Sequence, residues 1–160
     1  MLFKRIIWHH TGDASQAPQF DKINLWHKSK NFPLSSLGFY VGYHFLIEPD
    51  GTVRQARNLD EIGAHDQGEN LDSLGLGIAG NFDIGVPSEN QTAAAVKILG
   101  EMMSSVGIKI NRIEPHRQDD ATSCPGINLG DNWLILEYLK RHSDPSVRAF
   151  GLLAEDNKFL

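Results

Sequence analysis

The 160-residue sequence sets seven histidines against a single cysteine, and its capacity for chemistry concentrates around a few of them. His9 and His10 close the apolar run Phe3-Lys-Arg-Ile-Ile-Trp-His9, which reads as a strand. Neighbouring residues on a strand point to opposite faces, so only one of the pair can easily face a given site. A second concentration is the polar stretch 114–126, which has no helical or strand periodicity and carries His116 and Cys124 eight positions apart. A loop of that length can curl so that an imidazole and a thiolate meet one metal ion. Nitrogen and sulfur donors together suit tetrahedral zinc. Three protein ligands with an open fourth position would make a catalytic site, whereas a further Cys or His would close it into a structural one. The same spacing also fits a plainer reading, in which Cys124 is an inert buried thiol and His116 a surface-loop residue.

The other histidines read differently. His27 and His142 sit on or beside amphipathic helices among charged residues, and simple solvated side chains are expected there. His44 follows Tyr43 on an aromatic strand, must point to the opposite face, and reads as structural. On residue type alone Tyr43 is equally a packed strand tyrosine with its hydroxyl satisfied. His65 lies in a Gly/Asp/Asn loop beside Asp66 and Gln67, a place where binding residues often sit. Asp119 and Asp120 could orient a ligand imidazole, but paired loop carboxylates are more commonly solvated. No His-Glu-x-x-His occurs, which excludes a zincin protease, and neither Gly-x-Ser-x-Gly nor a Walker-type glycine loop is present.

The elements that must position these residues alternate along the chain. The first strand spans 3–9, and a helix over 19–30 puts Phe20, Ile23 and Trp26 on one face. Pro33 ends that helix, because proline disfavours helix in the residue before it. A strand over 39–47 turns at Pro49-Asp50-Gly51 and returns over 52–56 as a hairpin. Residues 74–80, Leu-Gly-Leu-Gly-Ile-Ala-Gly, form a buried strand. Ser88 and Gln91 offer a capped start to a helix running to Val106, with Ala95, Ile98, Leu99 and Met102 on its inner face. A short strand is expected over 108–113. A last helix follows over 131–141, burying Trp133, Leu134, Leu136 and Leu139. Interleaved strands and helices define an α/β class, a single domain with a mixed central sheet flanked by helices.

Composition narrows the function further. The length suits one domain, and 41% hydrophobic residues suffice for a core. A net charge of −5 offers no footprint for phosphate backbones, so nucleic acid is not an expected partner. No apolar run reaches the ~18 to 20 residues a membrane helix needs, so membrane insertion is not expected. The N-terminal residues lack the apolar stretch of a signal peptide, which predicts synthesis in the cytoplasm. A lone cysteine rules out an intramolecular disulfide framework. A monomer is expected.

Four separated segments carry a resemblance. They are Ile6-Ile-Trp-His9-His10-Thr11; Val41-Gly-Tyr43-His44-Phe-Leu-Ile; Gly63-Ala-His65 with Asn70 and Ser73-Leu-Gly-Leu-Gly-Ile-Ala-Gly80-Asn-Phe; and His116-Arg through Thr122-Ser-Cys124-Pro-Gly. In that order they resemble the zinc-dependent N-acetylmuramoyl-L-alanine amidases of the type 2 family. That family includes the amidase-type bacteriophage lysozymes and the peptidoglycan recognition proteins. The resemblance runs from about residue 4 to about residue 140, which implies a catalytic domain over 1–142 and leaves 143–160 as an extension of unassigned role.

The resemblance implies one zinc ion held by His9, His116 and Cys124, with water at the remaining position. It places Tyr43 beside the metal as a hydrogen-bond donor, and Thr122 where some members have lysine and others threonine, a position for oxyanion or substrate contact. His65 and Asn70 match residues lining the family's muropeptide groove. The implied reaction is hydrolysis of the amide joining N-acetylmuramic acid to L-alanine in bacterial peptidoglycan, by a phage or prophage-type lysin that reaches the cell wall from the host cytoplasm. Cytoplasmic recycling amidases that resemble this family carry an acidic residue and an aspartate ligand where this chain has Gly77 and Cys124. That alternative is therefore disfavoured. A peptidoglycan-binding module without catalysis is the other alternative, and the presence of Cys124 argues against it.

Overall fold

The computed structural model describes residues 3–142, so the extension expected over 143–160 lies outside the described residues. Five strands form one mixed sheet: β1 (Arg5–His10), β2 (Phe45–Ile47), β3 (Val53–Gln55), β4 (Ser73–Ile78) and β5 (Ile113–Pro115), in the order β3-β2-β4-β1-β5. β1 runs parallel to β4 and β5, β2 runs parallel to β4, and only the β2–β3 hairpin is antiparallel. Helices α1 (Phe20–Ser29), α2 (Glu89–Val106) and α3 (Trp133–His142) flank it. This is the α/β architecture the sequence predicts.

The two faces of the sheet are built from different residues. On one, Ile6 and Trp8 of β1 and Leu74, Leu76 and Ile78 of β4 pack against Ala95, Leu99 and Met102 of α2 and Leu134 of α3. α2 begins with the expected capping box: the Ser88 hydroxyl accepts from the Gln91 N–H, and the Gln91 carboxamide accepts from the Ser88 N–H. It ends on Gly107 in the left-handed region, φ 74°. The other face carries Gly75 and Gly77 of β4 beside Ile7 and His9 of β1. Their missing side chains leave room for rings, and the site occupies that room.

Four expectations change, one of them the inner face of the last helix: of Trp133, Leu134, Leu136 and Leu139 only Leu134 is buried in α3, and the other three are half-buried. The strand predicted over 39–47 shrinks to Phe45–Ile47. Residues 39–43 leave the ladder because their backbone groups bond elsewhere: Gly42 N–H donates to His27 Nδ1 (3.0 Å), Gly42 C=O accepts from Ala64 N–H (3.0 Å), and Val41 C=O accepts from the Arg57 guanidinium (2.9 Å). The strand predicted over 108–113 is instead a single 3-10 turn, Ile110–Arg112, followed by β5 at Ile113–Pro115. That placement lets Ile113–Pro115 pair with Ile6–Trp8 of β1. Finally, the buried face of α1 is Phe20, Ile23 and His27, while Trp26 is 56% exposed. Spacings of three and four follow the helix repeat, whereas a second step of three drifts off the face. His27 is thus not the solvated side chain expected of it; it is buried and accepts the Gly42 N–H. His142 is exposed as expected, its ring stacked on Tyr138.

Two buried charges fasten this side. α1 has no side-chain cap of its own, and the Glu48 carboxylate supplies one from the end of β2, accepting from the N–H groups of Gln19 (2.7 Å) and Phe20 (3.1 Å). Arg57 donates to the carbonyls of Val41, Ile62 and Pro33, tying the irregular 39–43 segment to the loop after β3. Among the described residues, no helix is long and apolar enough to cross a membrane.

Candidate metal centre

The C-terminal ends of parallel strands are where open α/β sheets bind ligands. His9 lies at that end of β1, and strand alternation sends its ring to the glycine-lined face. His116 opens the single turn that follows β5. Cys124 ends the loop beyond it, next to a cis peptide bond to Pro125. Arg117 shapes that loop: its N–H donates to Cys124 C=O (2.8 Å), and its guanidinium donates to the carbonyls of Ser123, Gly126 and Leu129 and pairs with Asp131. Thr122 adds a hydroxyl that accepts the Cys124 N–H (3.1 Å).

A nitrogen from each of His9 and His116 and the Cys124 sulfur all lie within 4.8 Å of one another. The His9 and His116 ring centroids are 4.4 Å apart, and His9 Nδ1 is 3.8 Å from Cys124 Sγ. The outer nitrogens of both imidazoles have partners. His9 Nε2 shares a hydrogen bond with His65 Nδ1 (3.1 Å), and His116 Nε2 lies 3.1 Å from Asp120 Oδ2. His116 Nδ1, by contrast, is buried with no hydrogen-bond partner. A buried ring nitrogen without a partner, on a residue clustered with a thiol and a second imidazole, fits a metal ion, and two nitrogens with one sulfur fit zinc. Burial, reinforced by His65 and His116, lowers the His9 pKa well below its ordinary value, keeping the ring neutral with a lone pair to give. Burial pushes the Cys124 thiol up to about 12, so this sulfur becomes a ligating thiolate only opposite a cation.

A cleft of about 270 Å³ opens over these groups, and Tyr43, His65 and Thr122 line it with the three donors, while Trp26 and Phe32 supply apolar wall. The Tyr43 ring lies 5.2 Å from that of His9, and burial, with Cys124 adding to it, raises the phenol well above its ordinary value. The structure therefore brings six of the seven site residues predicted from sequence into one cleft. Asn70 is not among the lining residues; its Oδ1 accepts the N–H groups of His65 (2.8 Å) and Asp66 (3.1 Å), so it shapes the loop that carries His65. His10 also lines the cleft but does not join the three donors, and its Nδ1 accepts the Phe82 N–H (3.1 Å). His44 is fully buried, with Nδ1 accepting from Gly75 N–H and Nε2 beside Glu61 C=O. A larger depression of about 720 Å³ lies between α2 and α3, lined by Lys97, Glu101 and Tyr138, without a thiol.

Sequence reasoning missed Arg117, Arg57 and Asp66. Their positions become meaningful only once distant backbone carbonyls, or the His116 ring, come close. The one available signal was the adjacency of Arg117 to His116.

Fold and cleft together define a class: a single-domain α/β scaffold presenting a His–His–Cys donor set at the ends of parallel strands. A family model described as N-acetylmuramoyl-L-alanine amidase matches residues 3–127, and the chain belongs to that family. Peptidoglycan-recognition protein SC2 of Drosophila melanogaster is 32% identical over 123 residues, 76% of this chain and 67% of its own length. The endolysin of Klebsiella phage KP32 is 30% identical over 115 residues, 70% of this chain and 72% of its own. Among solved structures, the N-acetylmuramoyl-L-alanine amidase LysC from Clostridium intestinale URNW superposes with a TM-score of 0.68 at 29% identity, covering 79% of this chain and 78% of that one. Bumblebee PGRP-SA does so with a TM-score of 0.69 at 28% identity, covering 81% and 78%.

Proposed function

We propose that this chain is a zinc-dependent hydrolase that cleaves the amide between N-acetylmuramic acid and L-alanine in bacterial peptidoglycan, as a phage or prophage-type lysin. The observation that carries the reading is the His9, His116 and Cys124 donor set, whose ligand atoms lie within 4.8 Å of one another, together with a His116 Nδ1 that is buried without a hydrogen-bond partner. His9, His116 and Cys124 would hold the ion. When bound, zinc supplies Lewis acidity for the scissile carbonyl and makes water nucleophilic near neutral pH.

The remaining chemistry belongs to the protein. His65 braces His9 through Nδ1, fixing which His9 nitrogen faces the cleft. Tyr43, kept protonated by burial, donates its phenolic proton as a hydrogen bond to the oxyanion that develops on the substrate carbonyl. Thr122 already accepts through its oxygen, so its hydroxyl proton is left to donate to substrate. The chain offers no glutamate at Gly77, where the recycling amidases carry an acidic residue, which assigns polarisation to the phenol rather than to a carboxylate base.

Mass spectrometry of peptidoglycan digested by the purified protein tests the reading. Release of stem peptides with a free L-alanine amine supports it; cleavage of a glycosidic or peptide bond, or no cleavage, overturns it. The second reading, recognition without cleavage, is favoured by relatives named as recognition proteins. Binding to intact wall with no soluble product would select it.

A further inference from the structure

The loop that carries His65 buries a second, unexplained group. The Asp66 side chain is 0% exposed, and neither of its carboxylate oxygens has a hydrogen-bond partner. Asn70 pins the backbone on both sides of this turn, accepting from the N–H groups of His65 and Asp66. Arg5 makes no ion pair with Asp66, being engaged by Glu69, Asp72, Glu114 and Asp119. A charge-bearing group held dry and unbonded is costly, and such violations of the packing rules concentrate where function needs them.

One donor stands close. His116 Nε2 is 3.9 Å from Asp66 Oδ1, within ion-pair range, and 3.1 Å from Asp120 Oδ2. If Nδ1 of that ring is to give its lone pair to an ion, Nε2 must carry the proton and an acceptor must hold it. The two carboxylates are not equal competitors for this proton. Asp120 is 48% exposed and water satisfies it in any arrangement, whereas the other acceptor has no alternative. We propose that Asp66 is the positioning residue of the metal centre, the buried carboxylate that accepts from His116 Nε2–H and aims Nδ1 at the ion. This inference rests on the zinc reading above.

The test compares Asp66→Asn with Asp120→Asn in the full chain, by zinc titration against a competing chelator and by thermal unfolding of the zinc-free protein. Asp66→Asn is expected to weaken zinc binding 10- to 100-fold. It should also raise the zinc-free melting temperature by a few degrees, because an unpaired amide costs less to bury than an unpaired carboxylate. Asp120→Asn should leave zinc affinity within about threefold, consistent with a solvated partner. A merely structural Asp66 would lower affinity and zinc-free stability together, and that result overturns the proposal. So do unchanged affinity in Asp66→Asn, a larger loss in Asp120→Asn, or a second zinc equivalent lost in Asp66→Asn, which would make Asp66 a ligand of another ion. Wild-type protein that binds no zinc defeats the zinc reading itself, an outcome distinct from zinc binding that ignores Asp66.

Discussion

His9 and His10 share a strand end but meet different surroundings, because alternation turns one ring toward Cys124 and the other toward the backbone of Phe82. His9→Ala should therefore lose zinc, while His10→Ala should keep one equivalent and lose only the stability of one hydrogen bond, about 1 kcal/mol. Metal analysis of the two variants reads this directly, and the reverse ranking would put the strand register off by one. Tyr43 permits a sharper test, since its donation matters only where charge develops on the substrate. Tyr43→Phe should retain zinc and fold while kcat falls roughly 10²- to 10³-fold with KM little changed. Near-wild-type kinetics would reduce Tyr43 to packing, and a raised KM alone would make it a substrate contact. At this scale the residues alone offered only a His–Cys loop and a strand-end histidine pair, compatible with a metal or with an inert thiol, and it is the family resemblance that singles out His9, His116, Cys124 and Tyr43. Asp66 was not legible: a loop carboxylate next to His65 looks solvated until Asn70 and His116 are seen to enclose it.

At the level of elements, β4 does more than complete the sheet. Its Leu-Gly-Leu-Gly alternation sends leucines into the core under α2 and leaves two gaps on the opposite face. Rings fill those gaps: a Cβ on Gly75 would lie 2.4 Å from His65 Cδ2, and one on Gly77 would lie 2.7 Å from Tyr43 Cδ2. Gly75→Ala should consequently displace His65 and cost about 1 to 3 kcal/mol by overpacking, with weaker zinc binding because His9 loses its brace. Gly130→Ala, where an added Cβ meets nothing within 4 Å, is the matched control. Equal denaturation midpoints and zinc affinities in the two variants would sink this account of β4. The capping box of α2 and the alternation of β4 could be read in advance because each is a local pattern. The short β2 could not, since Phe39–Tyr43 has the composition of a strand. It is pulled out of the ladder by His27, Ala64 and the Arg57 guanidinium, which come from three other places in the chain. The face of α1 was misjudged for a related reason: an apolar Trp26 outweighed a polar His27 until the Gly42 N–H supplied the latter with a buried partner.

Across the described residues the sheet divides an apolar core from a face dense in imidazoles, and that division makes stability depend on pH. Burial lowers His27 to about 4, with Arg57 adding to the effect, and burial likewise lowers His44 to about 4. Both rings accept a backbone N–H through Nδ1, which a protonated imidazole cannot do. An unfolded histidine protonates near ~6.5, so between that pH and about 4 the unfolded chain binds more protons than the folded one. Stability from these two residues is full above ~6.5 and drains away as pH falls through that window. Denaturant unfolding of the zinc-free protein should lose about 1 to 2 kcal/mol per buried ring between pH 7 and pH 5. His9 and His65, lowered by the same desolvation, act in the same direction. His27→Gln should make the slope shallower by up to one proton, even if the variant is less stable throughout. A folding free energy flat from pH 7 to pH 5 would show that these imidazoles reach solvent in the folded chain. The sheet face would then be wetter than its packing shows, and the neutral, lone-pair-bearing state of the His9 site would lose its physical basis.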